Sequence, residues 1–387
     1  MRHLLPILVL TGLTGHAQES AWSSDPAGWN RTTMGSACRQ ASKLKVVTQG
    51  RLTVLTDDRH DVGFKWSCKT AGNSRAEAEH KIQAARLRAQ EHGGVCILVA
   101  TTPDGPVVTS ELVVTIPRTM RQVYMESRNG SLSGKYLKGE IEAVTAAGNV
   151  DMDDIDGNVI ARTGGGCLTF SSVTGSIRGL SGGGCIKVGK VGKEAVLETA
   201  GGEILVEEAA SWLRLSTAGN IHVGKVAESV FAHTSAGLIE VEQAGGVVTA
   251  ETGGGTIQIG SAKGVRCESG GGTIRLKSVS GALRAATASG NIYATLAPGL
   301  MIENSFLATS RGDITVSVPS KMPVTVKALN ESSTWLGRVV SDFPEIQIQP
   351  SQVGRNRRVL AQGSLNGGGP VLMLSATNGA IFLRRMK

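Results

Sequence analysis

One phrase recurs along this chain and limits what it can fold into. Gly-Gly-Gly-Thr-Ile stands at 253–257 and again at 270–274. Each copy is anchored by a branched apolar residue following glycine. The anchors run Val150, Leu168, Ile186, Ile204, Ile221, Ile239, Ile257, Ile274 and Ile292, in steps of 17 or 18 residues. The residue two places on is usually apolar too, as at Val188, Val206, Val223 and Ile259. Period-two alternation over so short a span is the mark of a strand with one buried face. Midway through each unit a second strand shows the same habit, at Val159, Ile177, Val196, Leu213, Val230, Val248, Val265 and Leu283.

A unit this short cannot bury its own apolar face, so neighbouring units must stack. Helices are disfavoured, because the chain holds 51 glycines among 387 residues and each mid-helix glycine costs about 1 kcal/mol against alanine. Glycine suits corners instead, where a positive φ is expected. The expected fold is therefore all-β: a parallel β-helix, or β-solenoid, with right-handed coils of about 18 residues. At about 4.8 Å per coil, ten coils would make a rod on the order of 50 Å long.

In chain order, residues 1–17 read as an export signal: Arg2, an apolar run from Leu4 to Leu13, and small residues at Gly15 and Ala17. That run is too short to span a bilayer as a helix, and no other stretch could cross one. Residues 18–40 read as a flexible polar lead. Residues 41–128 read as a small β-rich segment with one helix over 75–92, opened by Ser74-Arg75-Ala76-Glu77 and stopped at Gly93-Gly94. The regular solenoid is expected over 129–318. Residues 319–387, broken by Pro319, Pro323, Pro344 and Pro350, should form irregular final coils and a cap.

The order of several phrases resembles the bacterial putative-adhesin domains, a family of unknown function that forms β-solenoids. They are Val114-Thr115-Ile116-Pro117-Arg118, then Gly148-Asn149-Val150, Gly219-Asn220-Ile221 and Gly290-Asn291-Ile292, and finally the close from Gly367-Gly368-Gly369-Pro370 to Asn378-Gly379-Ala380-Ile381. The resemblance covers residues 40–387. It implies a solenoid and supplies no catalytic residue to transfer.

The residues that could carry chemistry are few. Six cysteines are present, and an exported chain sits where disulfides persist. Cys167 and Cys185 fall on successive coils within disulfide range; two free thiols in a ladder are the alternative. Cys68 and Cys96 flank the expected helix and could bridge neighbouring strands, with Cys38 competing for either. Cys267 reads as a small core residue. Asp151, Asp153, Asp154 and Asp156 crowd before Gly157. An EF-hand register would put Met152 in the first ligand position, so the pattern fails. A solvated acidic edge is the favoured reading and a weak Ca²⁺ site the alternative.

Carbohydrate-active β-helix enzymes need paired acids stacked on one face. The outward column here is Lys187, Leu205, His222, Glu240, Gln258, Arg275 and Tyr293, a mixed series with no acidic pair on adjacent coils. Neither a catalytic residue nor a cofactor is therefore assigned. Trp212 and Phe231 should lie outside the second strands, as an interaction surface or covered by another segment. The formal charge of +8 is modest for this length. With aromatics few and no Lys/Arg block, nucleic acid is set aside as a partner.

The resulting expectation is an exported, non-enzymatic module of the bacterial envelope, periplasmic or at the cell surface, that meets an envelope protein or glycan. The second reading is a homo-oligomeric scaffold stacked through coil ends. A carbohydrate-active enzyme using Glu240 or Asp154 comes third.

Overall fold

A computed structural model describes residues 19–103, 108–299, 303–332, 338–353 and 356–386. The export signal expected over 1–17 lies outside the described residues. The chain divides into two compact units, Met1–Asn158 and Val159–Lys387.

In the first unit the strands are β1 (Glu19–Asp25), β2 (Gly28–Ala37), β3 (Lys43–Thr48), β4 (Arg51–Asp57) and β5 (Val62–Thr70). Helix α1 (Arg75–Ile82) follows, then β6 (Arg86–His92), β7 (Val95–Thr101), β8 (Val108–Pro117), β9 (Gln122–Ser127), β10 (Leu132–Lys135), β11 (Lys138–Thr145) and β12 (Val150–Asp153). Two sheets result. In one, β8, β4, β10 and β12 stack in parallel, with Leu52 paired to both Leu112 and Leu132. In the other, β7, β3, β9 and β11 do the same, with Leu44 between Cys96 and Val123. The first circuit of the chain is thus a second rung, slipped beneath a rung made 50 residues later. Antiparallel strands close this end: β5 and the β1–β2 hairpin beside β8, and β6 beside β7.

Three expectations are corrected here. Residues 18–40 are not a flexible lead, because 19–37 form the β1–β2 hairpin around Asp25-Pro26-Ala27-Gly28, where Asp25 accepts from the Ala27 N–H. The helix expected over 75–92 ends at Ile82. Ser74 does cap it, its hydroxyl accepting from Glu77 N–H at 3.3 Å. Gly93-Gly94, expected as a helix stop, is instead the turn of the β6–β7 hairpin. Both glycines have positive φ, 57° and 75°, as a type I′ turn requires. Finally, coil-like parallel pairing already involves 43–57, so the solenoid pattern does not begin at 129.

The second unit is built of repeated circuits, each with two short strands. Ile204, Ile221, Ile239, Ile257 and Ile274 pair in register on one sheet, all 0 % exposed. Val230, Val248 and Val265 pair in register on the other. The fold is a parallel β-solenoid. Burying each such side chain stabilises the stack by about 1.5–3 kcal/mol. A one-residue slip would turn a whole column into water, so the alternation holds the register.

Two further columns hold the corners. A buried hydroxyl closes each second strand, as at Ser181, Thr199, Thr234, Thr252 and Ser269. Thr252 donates to the Gly237 carbonyl of the preceding coil at 3.2 Å and accepts from Gly255 N–H at 3.0 Å. Ser269 repeats this with Gly255 and Gly272, at 3.1 and 2.8 Å. Each hydroxyl therefore satisfies two corner backbone groups that the ladders leave over. The glycines stand where they do because of close approach. A Cβ on Gly255 would lie 1.8 Å from the Gly237 oxygen, and one on Gly272 only 1.7 Å from the Gly255 oxygen. Neither has a positive φ, so the conformational reason expected for these corners does not apply.

The C-terminal end repeats the device seen in the first unit. Val371–Asn378 inserts between Ser305–Arg311 and Val324–Ser332. Ala380–Met386 inserts between Ile314–Pro319 and Arg338–Ser341. The last circuit of the chain is thus the next-to-last rung. Val324–Ser332 is then covered by antiparallel Asn356–Leu365, which in turn pairs with Gln347–Val353.

Candidate functional site

Apart from the Asn330 amide, which donates to the Gly379 carbonyl, the side chains inside the second unit's coils are apolar or hydroxyl-bearing, so chemistry must be sought on the outer faces. The second strands of the second unit bring one residue per coil to a common outward column. It runs Arg178, Val196, Arg214, Phe231, Thr249, Arg266, Arg284 and Phe306. Val196, expected to face inward, stands here instead, because Ala195 pairs with Ile177 and takes the buried place. All four arginines and both phenylalanines are exposed. Arg266 pairs with Glu268 at 3.4 Å. Two residues along the same strands runs a parallel column holding Glu198, His233, Glu251 and Glu268. Trp212 is half-buried at the corner before Leu213–Thr217, next to Ser229 of the following coil rather than to Phe231. Trp212 and Phe231 therefore do not share a column: Phe231 lies against Arg214. Outside the second strands the sequence draws attention to Trp212 and Phe231, and the arginine column is the further feature that the structure adds. Its signal is plain in retrospect, an arginine directly after the apolar residue at 177–178, 213–214, 265–266 and 283–284.

The other outward column does form, with Lys187, Leu205, His222, Glu240, Gln258, Arg275 and Tyr293 in register. It borders an open groove of about 550 Å³. An acidic pair brackets His222 here, which the column alone did not reveal. Glu203, from the corner before Ile204, lies 3.3 Å from Nε2, and Glu240 lies 3.1 Å from Nδ1. Along the same groove Lys190 holds Glu208 at 2.9 Å. That hydrogen bond keeps the Glu208 carboxyl below its ordinary range and the Lys190 ammonium above its own. Glu207, Lys225 and Glu242 line the same groove beside these pairs.

The acidic stretch in the first unit is also spread among partners. Asp153 lies 4.0 Å from Lys135 and Asp156 lies 3.2 Å from Lys138. Asp151 and Asp154 are exposed. Among the described residues no cluster of three or more His, Cys, Asp or Glu could hold a metal ion.

The cysteines pair differently from one expectation. Cys96 is bonded to Cys38, not to Cys68, with Cα atoms 5.6 Å apart. Cys38 directly follows the β1–β2 hairpin, and Cys68, within β5, is buried in the core. Cys167 and Cys185 are joined across adjacent coils, Cα atoms 4.6 Å apart. Cys68 and Cys267 are free and buried. Burial pushes the Cys68 thiol up to about 12, and burial raises Cys267 as well. Since the thiolate is the reactive form, a thiol reagent at pH 8 should find neither in the native protein. It should find both after denaturation and all six cysteines after reduction. Fast native labelling of either thiol, or a Cys68–Cys96 peptide in a non-reducing digest, would refute this arrangement.

The stacked coils, hydroxyl-and-glycine corners and tucked terminal rungs define a parallel β-solenoid protein. More particularly, the chain belongs to the Toastrack DUF4097 family, whose model matches residues 87–335. The chain is also similar to two solved structures. One is a putative cell adhesion protein from Clostridium sporogenes, at 11% identity, covering 92% of this chain and 100% of that one, with a TM-score of 0.19. The other is a putative adhesin from Bacteroides fragilis, at 8% identity, covering 92% of this chain and 97% of that one, with a TM-score of 0.16. Neither likeness bears on function. No curated protein matches the chain. Among the described residues no helix is long and apolar enough to cross a membrane.

Proposed function

We propose that this chain is an exported, non-enzymatic interaction module of the bacterial envelope, presenting the outer faces of its coils to a protein or glycan. The observation that carries this reading is the tightness of the second unit's regular coils. Their corners are only a few residues long, so no inserted loops rise beside the faces. A face without walls offers a broad contact surface but cannot enclose and desolvate a reacting group. Export is supported by the leader-like 1–17 and by the two disulfides, which persist in oxidising compartments. Assembly through coil ends is less favoured, because antiparallel strands cover the parallel rungs in each unit.

The test uses the full chain expressed in a bacterium. The expected product begins at Gln18, lies outside the cytoplasm and, once purified, is retained by cell-envelope fractions without releasing new material. Cytoplasmic retention with the leader intact, or no retention on any envelope fraction, would defeat the proposal. Release of oligosaccharides that Glu240→Gln or Asp154→Asn abolishes would make it an enzyme instead.

A further inference from the structure

We infer that the arginine column on the second strands of the second unit is a docking lane for a linear acidic polysaccharide of the uronic-acid kind. The inference rests on the interaction reading above and adds the face and the partner's chemistry.

Charge comes first. From Arg178 to Phe306 the column holds Arg178, Arg214, Arg266 and Arg284 and no acidic residue. Arg178, Arg214 and Arg284 make no ion pair among the described residues, and all three are exposed. Such a row of planar guanidinium groups suits carboxylates, which each can hold through two parallel hydrogen bonds. The row runs across the strands at about 4.8 Å per coil, so it is a straight line fixed by the core ladder beneath it. A rigid, preformed line loses little conformational freedom when an extended chain lies along it.

Shape then narrows the partner. The lane is one side chain wide. The column beside it carries Glu198, Glu251 and Glu268, which would press against any flat anionic surface laid over the face. A narrow anionic strand avoids them; an anionic bilayer does not. Phe231 and Phe306 interrupt the arginines four coils apart, on the order of 19 Å. Single-stranded nucleic acid stacks successive bases on successive aromatic platforms, and platforms this sparse do not supply that. A pyranose chain needs only an occasional apolar plate for the C–H face of a ring, with charge contacts between.

The experiment measures binding of the full-length protein to polygalacturonate at low salt by titration calorimetry. Anionic phosphatidylglycerol vesicles, a single-stranded oligonucleotide and polyglutamate are the parallel arms, and neutral dextran is the blank. Wild type should bind polygalacturonate more tightly than any other arm, and salt should weaken binding. Arg214→Gln with Arg284→Gln should weaken it about tenfold, as expected for losing two charged hydrogen-bonding groups. Phe231→Ala with Phe306→Ala should weaken polygalacturonate binding and leave polyglutamate binding unchanged. Arg275→Gln, on the other sheet, should change nothing. These side chains are exposed, so unchanged melting temperatures will show that the variants fold. The proposal is overturned if wild type does not bind polygalacturonate, if the arginine variant binds equally well, or if vesicles, oligonucleotide or polyglutamate bind as tightly. Should the lane fail while envelope fractions still retain the protein, only this partner is wrong. Loss of envelope retention as well would remove the wider reading.

Discussion

Gly272→Ala should destabilise the second unit by about 3 kcal/mol, while Gly271→Ala, one residue away, should be nearly silent. The contrast is geometric. A methyl group on Gly272 would meet the Gly255 carbonyl oxygen at 1.7 Å, whereas at Gly271 the nearest atom lies 4.0 Å away. The obstructing atom is backbone of the preceding coil, which cannot swing aside as a flexible side chain can. Relief would require that corner to separate, and with it the bonds Ser269 makes to Gly255 and Gly272. For a unit of this size the loss corresponds to a fall in melting temperature on the order of 10 °C. Equal melting temperatures for the two variants would show that the corners are not packed glycine on carbonyl.

Deleting residues 370–387 should have the larger effect, and it should reach well beyond the deleted segment. A solenoid that ended with its last residues would merely shorten by a rung. Here the last rung is interior. Its removal takes away Leu372, Leu374, Ile381 and Leu383, each 0 % exposed, worth on the order of 8 kcal/mol of burial together. It also leaves Ser305–Arg311 and Val324–Ser332 without the strand both are bonded to. The expected result, read by hydrogen exchange, is lost protection across 305–332 and 356–365, with 204–262 still protected. Native-like protection of 305–332 in the truncated chain would mean that the two flanking rungs can close on each other and that the tucked rung is dispensable.

Much of this could be read from the sequence. The anchors Ile221, Ile239 and Ile257 stack in one sheet as their spacing required, because a side-chain period of two and a repeat of 17 or 18 residues leave one way to bury them all. The corner hydroxyls are equally legible, as Ser or Thr two or three residues before the corner glycine. Where the reading erred, a local signal had two physical outlets. Gly93-Gly94 can stop a helix or turn a hairpin, and only the partner strand Val95–Thr101, paired with Arg86–His92, chose between them. Cys96 had two candidate partners, and the choice of Cys38 depended on a hairpin with too little alternation to announce itself.

The surface divides the same way. That outward columns exist follows from the repeat, and an arginine after the apolar residue of four second strands is in plain view at 178, 214, 266 and 284. That the glutamates lie in a separate column beside it, and that Glu203 turns from its corner to share His222 with Glu240, required coordinates. By itself the sequence determined the coil, its length and most of the residues that face inward, since these follow from hydrophobic spacing between near neighbours; at 195–196 the spacing favoured Val196, and the register buried Ala195 instead. The tertiary structure alone decided the order of the terminal rungs, the Cys38–Cys96 bond and the makeup of the outer faces. Those depend on which distant segments meet, and neither alternation nor repeat length carries that information.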